Sequence, residues 1–164
     1  MLIAELVNVS ADPLKQQIVI NKGADDGVYV GQPAIDAYGL MGQVVEVNAQ
    51  QARVILISDS RHSIPVQINR NGVRAIAEGS GRIDTLMLPN VVATTDIKAG
   101  DLLVSSGLGQ RFPVGYPVGT VASITQKPGA IFVDVDVDPA AELDRSRHLL
   151  LVFSSGRDRV RGIQ

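Results

Sequence analysis

Two serines, two histidines and a row of aspartates are the side chains in this sequence with the means to act on a substrate. Ser105 and Ser106 open the segment SSGLGQRFPVGYPVGTV (105–121), and the chain offers His62 and His148 as bases. Asp59 sits beside His62 in one loop. A hydrolytic triad needs a serine placed against a base that a carboxylate orients. Either serine with either histidine would make a hydrolase of the two-barrel serine-protease type. No spacing in the chain supports that arrangement, so the expectation is a chain without catalytic residues. The two histidines fall at matching places in a repeat described below, which predicts a shared turn environment for them.

The glycines of 105–121 invite comparison with phosphate-cradling loops. Such a loop runs straight into a helix N-terminus, often with Lys-Ser/Thr. No lysine follows here, and VGTVASI reads as a strand. The glycines therefore read as turn positions of a β framework. Asp134, Asp136 and Asp138 stand on one strand face, about 7 Å apart. That is too spread for one Ca²⁺ without loop ligands, so they are expected to form a solvated outer face. Asp25-Asp26-Gly27 reads as a turn. The absence of cysteine excludes disulfides, thiol catalysis and cysteine-based zinc sites. No metal and no cofactor are expected. A net charge of −2 leaves no electrostatic footprint for nucleic acid. Aromatics at 4% with no Trp argue against a stacking platform for single strands or sugars.

The elements that must position these residues are strands. Apolar residues make up 45% of the 164 residues, enough for one medium or two small folded domains. The dominant period is two. Ile64, Val66 and Ile68 alternate with Pro65, Gln67 and Asn69. Val133, Val135 and Val137 alternate with Asp134, Asp136 and Asp138. Further β-branched runs lie at 15–21, 40–47, 52–57 and 118–124, with turn signals between them. Asn69-Arg70-Asn71-Gly72 reads as a tight hairpin. Only PAAELDRSRH (139–148) reads as helical. No apolar run approaches the length of about 18 residues needed to span a membrane, and no signal peptide opens the chain.

An internal repeat organises these strands. In 22–44, Gly31 leads through Ile35 to Gly39-Leu40 and Gly42. In 96–121, Gly100 leads through Val104 to Gly107-Leu108-Gly109 and on past Gly115 to Gly119. These eight glycines are expected to be structural turn positions. ARVILISDSRHSIPVQI (52–68) likewise resembles 130–153. The expectation is an all-β protein of two small six-stranded barrels related by internal duplication, with little helix. Residues 1–70 are read as the first barrel and 71–155 as the second, with strand exchange between the halves left open. Residues 156–164, with Arg157, Arg159 and Arg161, are read as a flexible tail. The second repeat alone carries the insertion QRFPVGYP. Phe112, Pro113, Val114, Tyr116 and Pro117 crowd apolar bulk into it. It either plugs a barrel end or meets a partner, and its exposed apolar residues are the candidate partner-binding site.

These blocks resemble the periplasmic (extracytoplasmic) β region of the rod-shape-determining MreC family. The resemblance covers about residues 3–154, and its most specific part is Gly107–Val121. It implies a non-enzymatic scaffold of the elongasome, the assembly that inserts lateral peptidoglycan. It also implies binding and activation of the elongation-specific penicillin-binding transpeptidase, work alongside MreD, RodA and MreB, and self-association into filaments. The full-length family protein is anchored in the inner membrane and carries a coiled coil. This sequence shows neither a membrane helix nor heptads and reads as a soluble fragment.

Overall fold

The computed structural model describes residues 1–153. Among them, twelve strands follow in order: β1 (Leu2–Val9), β2 (Gln17–Ile20), β3 (Pro33–Ile35), β4 (Leu40–Val47), β5 (Ala52–Leu56), β6 (Ser63–Ile68), β7 (Arg74–Gly79), β8 (Leu86–Val92), β9 (Leu102–Ser105), β10 (Pro117–Thr125), β11 (Phe132–Pro139) and β12 (His148–Leu151). Their burial follows the period read from the sequence. On β11, Val133, Val135 and Val137 point inward while Phe132, Asp134, Asp136 and Asp138 point outward. Each inward valine contributes about 1.5–3 kcal/mol by leaving water.

The strands close two antiparallel barrels. Barrel one runs β1-β12-β3-β4-β5-β2, and barrel two runs β7-β6-β9-β10-β11-β8. The two circuits are the same once each strand is matched to the one six places along the chain. Hydrogen bonds repeat with them. Gly31 N–H donates to Val44 O and Gly100 N–H to Val121 O, each at 2.8 Å. Val44 N–H donates to Gln32 O and Val121 N–H to Asp101 O, each at 2.9 Å.

Strand membership departs from the division at residue 70. β6 lies in barrel two although it belongs to the first half, and β12 closes barrel one although it ends the second. Each half lends its last strand to the other barrel. Closure around the loan leaves no long free edge. Period two shows that β6 and β12 each bury one face. It says nothing about whose interior receives that face.

Two carboxylates hold the crossings. In the first, the buried Asp59 accepts Gln16 N–H at 2.9 Å and both ends of Arg61. In the second, Asp36 accepts Glu142 N–H and Ser146 Oγ–H, each at 2.8 Å, while its other oxygen takes Tyr38 and Gly39 N–H. The helix expected over 139–148 is absent. Pro139 ends β11, His148 begins β12, and the residues between make turns on Asp36 and on Val118 O. Its helix-forming composition is overridden by these tertiary bonds.

Candidate functional site

The glycine-rich segment begins where β9 ends. Ser105 is fully buried. Its Oγ donates to Pro113 O and accepts Tyr116 N–H at 3.0 Å, and its own amide and carbonyl pair with Tyr116 and Gly115. These bonds pull both ends of the insertion together. Gly107, Gly109 and Gly115 adopt left-handed φ of 78°, 75° and 92° within it. Phe112 thereby points inward. It is 4% exposed and meets the His62 ring edge-on at 5.8 Å between centroids. Pro113, Tyr116 and Pro117 are half-buried, and Val114 stands out at 67% exposure. The insertion is anchored inward through Phe112. Of its apolar residues, Val114 is exposed and Phe112 is buried, its ring packed into the core.

His62, 6% exposed, has no hydrogen-bond partner on either ring nitrogen. Burial pushes its pKa down to about 4, with the Arg111 charge adding to the effect and Asp59 opposing it. For Asp59, burial acts upward, but the Arg61 and backbone hydrogen bonds outweigh it and leave its carboxyl below the usual range. That carboxyl serves Arg61 and Gln16, so it does not orient His62. Ser106 Oγ accepts Leu108 N–H at 3.3 Å. His148 opens β12 on barrel one and faces Glu5 at 3.0 Å in the open. The shared environment expected for the two histidines is therefore not found: one is sealed under Phe112 and the other is solvated. Among the described residues, no three His, Cys, Asp or Glu gather as a metal site.

A second surface lies on barrel two, and the sequence reading passed over it. β7 pairs with β6 at five positions but with β8 only at Glu78↔Met87 and Gly79↔Leu86. Beyond that point the two strands part. Pro89, which has no N–H, and Asn90, at φ 61°, bulge β8 against β11. A cleft of about 440 Å³ opens between Arg74–Ile76 and Pro89–Val92, with Ile68 and Val91 at its floor. Its lip is braced by Arg70, whose guanidinium forks onto Asp101 at 2.9 and 3.0 Å and reaches Asp96 at 3.1 Å. Arg70 holds both carboxyls below their usual range. Ile76 and Val92 on its lining are exposed, Phe132 is exposed beside Val92, and Met87 is exposed further along β8. The signal in the sequence was Pro89-Asn90 inside an apolar strand run, where proline marks a bulge or an edge.

The comparisons with known proteins follow this architecture. Residues 6–153 match the family model described as "Rod shape-determining protein MreC, barrel core". The chain belongs to the MreC family. The cell shape-determining protein MreC of Haemophilus influenzae is 49% identical over 156 residues, 95% of this chain and 44% of that protein. The chain thus spans under half the length of this relative. The crystal structure of MreC from Pseudomonas aeruginosa superimposes with a TM-score of 0.90 at 58% identity, covering 93% of this chain and 98% of that one. A structure titled as the major periplasmic domain of the cell shape-determining filament MreC aligns at TM-score 0.78 and 26% identity, covering 94% of this chain and 95% of that one. MreC from Helicobacter pylori, solved in a complex with a penicillin-binding protein (PBP2), shares the fold at TM-score 0.69 and 19% identity, over 91% of this chain and 94% of that one. Among the described residues of this MreC-family chain, no helix is long and apolar enough to cross a membrane.

Proposed function

We propose that this chain is the periplasmic β region of a non-enzymatic MreC scaffold, anchored to the inner membrane in its full length. It docks the elongation-specific penicillin-binding transpeptidase and favours that enzyme's active conformation, as any partner does that binds one state better. It acts with MreD, RodA and MreB, and its copies associate. One observation carries the docking reading: barrel two exposes Ile76 and Val92 on the lining of an open cleft, with exposed Phe132 paired beside Val92 and exposed Met87 further along β8. Exposed apolar patches of this kind mark interaction sites. The complex of the Helicobacter pylori relative supports the class of partner. Val114, with the half-buried Pro113, Tyr116 and Pro117, forms the second contact anticipated from the sequence.

Affinity of the transpeptidase for this chain tests both surfaces. Ile76→Asp with Met87→Asp is expected to weaken binding by about thirtyfold or more, the loss of one anchoring contact of about 2 kcal/mol. Val114→Asp weakens it less. Unchanged binding by a folded Ile76/Met87 variant sinks the cleft assignment. If Val114→Asp alone abolishes binding, the insertion is the site.

A further inference from the structure

The cleft of barrel two is bounded on one side by an open strand edge. In an antiparallel ladder the backbone groups of successive residues turn to opposite neighbours. Gly79 N–H donates to His62 O at 3.1 Å, and Val73 O accepts Ile68 N–H at 2.8 Å. Ala75, Ala77 and Gly79 therefore turn their N–H and C=O toward β6, while Arg74, Ile76 and Glu78 turn theirs toward β8. Glu78 meets Met87 there, and the β7–β8 register ends at that pair. Arg74 and Ile76 thus meet no strand among the described residues, because β8 has bulged away at Pro89 and Asn90. The β8 side offers no matching edge: Pro89 has no N–H, and Val92 O already accepts Thr95 N–H at 2.9 Å.

The N–H and C=O of Arg74 and Ile76 accordingly face a cleft of about 440 Å³. The two residues stand one strand repeat apart, about 7 Å. An extended peptide matches that spacing, and an open edge of this kind is a template for pairing with another chain.

The side chains say which peptide fits. Along β7, Arg74 and Ile76 are exposed and Glu78 is half-buried, a cation, an apolar group and an anion in turn. Among the described residues, Arg74 has no ion pair. The floor beneath is apolar, with Ile68 and Val91 buried there. A strand laid on β7 turns alternate side chains to the floor and to the outside. Apolar residues complement the floor, and an acidic residue complements Arg74 from the position directly across from it.

We infer that β7 receives an added strand, an extended segment of the docked transpeptidase that bonds the backbone of Arg74 and Ile76, lays apolar side chains on the floor and sets an acidic one across from Arg74. The inference rests on the proposed docking at this cleft and names the form of the docked segment. In such pairing the main-chain bonds supply affinity and the alternate side chains supply specificity.

Amide hydrogen exchange of the full chain, read residue by residue in NMR with and without the elongation-specific transpeptidase, tests it. In the free chain the Arg74 and Ile76 amides exchange fast, while those of Ala75 and Ala77, paired with β6, exchange slowly. In the complex Arg74 and Ile76 slow by about tenfold or more, the effect of one new hydrogen bond. Ile76→Pro removes a donor that faces the cleft and spares the β6 ladder. It binds about tenfold more weakly than Ile76→Ala, which removes the side chain alone. The exchange comparison needs no variant, so it decides the matter even where Ile76→Pro fails to fold. A complex in which Arg74 and Ile76 exchange as in the free chain, or folded Ile76→Pro and Ile76→Ala proteins that bind alike, overturns the added strand and leaves docking at the cleft standing. Equal slowing in the concentrated chain alone assigns the strand to a second copy and overturns the transpeptidase as its source. A wild type that does not bind the transpeptidase overturns the docking reading and this inference with it.

Discussion

His62 shows how a single side chain can be set by what surrounds it. Its ring is sealed between the first crossing and Phe112, with no hydrogen-bond partner, so the neutral form is held down to about pH 4. In the unfolded chain the ring titrates near 6.5. Between those values the unfolded chain binds a proton that the native chain refuses, and acid therefore favours unfolding. Stability is intact above about pH 6.5 and falls as pH drops toward 4, by about 3 kcal/mol over the window. Urea denaturation at a series of pH values should show this loss, and His62→Leu should remove most of it. An equal acid loss in the Leu variant would assign the effect to other groups. The reason that the sequence suggested a base here and the structure shows a seal is physical: residue type reports that His62 can titrate, while its burial is decided by Phe112, fifty residues away.

Among the elements, β4 comes very close to β5, and so does its counterpart β10 to β11. A Cβ built on Gly42 would lie 2.0 Å from Ile55 O, and one on Gly119 would lie 2.5 Å from Asp138 O. Both strands must part to admit a methyl group. Gly42→Ala is expected to cost more than about 4 kcal/mol, whereas the exposed Thr120→Ala stays within about 0.5 kcal/mol. A Gly42→Ala protein within about 1 kcal/mol of wild type in chemical denaturation would show that the strands yield freely. These glycines were legible because the repeat placed both at the start of a Gly-x-Val strand. The strands were legible because period two follows directly from burying one face of a sheet. The 139–148 segment misled because its propensity is local, while Asp36, which ties it into turns, lies over a hundred residues upstream. The cleft was missed because parting of β7 from β8 depends on pairing, and one proline was its only trace.

For the whole molecule, the exchanged strands make each barrel depend on the other half of the chain. Residues 1–70 contain β1–β5 but not β12, which pairs with both β1 and β3 to close barrel one. The same residues contain β6, whose partners β7 and β9 lie beyond them. A fragment 1–70 would thus expose two open edges of barrel one and carry a strand with nothing to join. Its buried face, Ile64, Val66 and Ile68, would remain in water. Loss of one central strand removes more apolar burial than the few kcal/mol by which small domains are stable. The fragment is expected to be unfolded or to associate through its edges, as read by far-UV circular dichroism and amide dispersion in NMR. Mixed with 71–164, it should recover native structure, since the two pieces supply each other's missing strand. The intact chain should unfold in one calorimetric transition, because neither barrel stays closed once the other opens. Two separated transitions, or a well-folded monomeric 1–70, would mean that the exchange does not couple the barrels. Coupling of this kind suits a scaffold. The exchanged strands tie the cleft of barrel two to barrel one, so a single calorimetric transition would mean that the proposed docking surface and barrel one form and melt together.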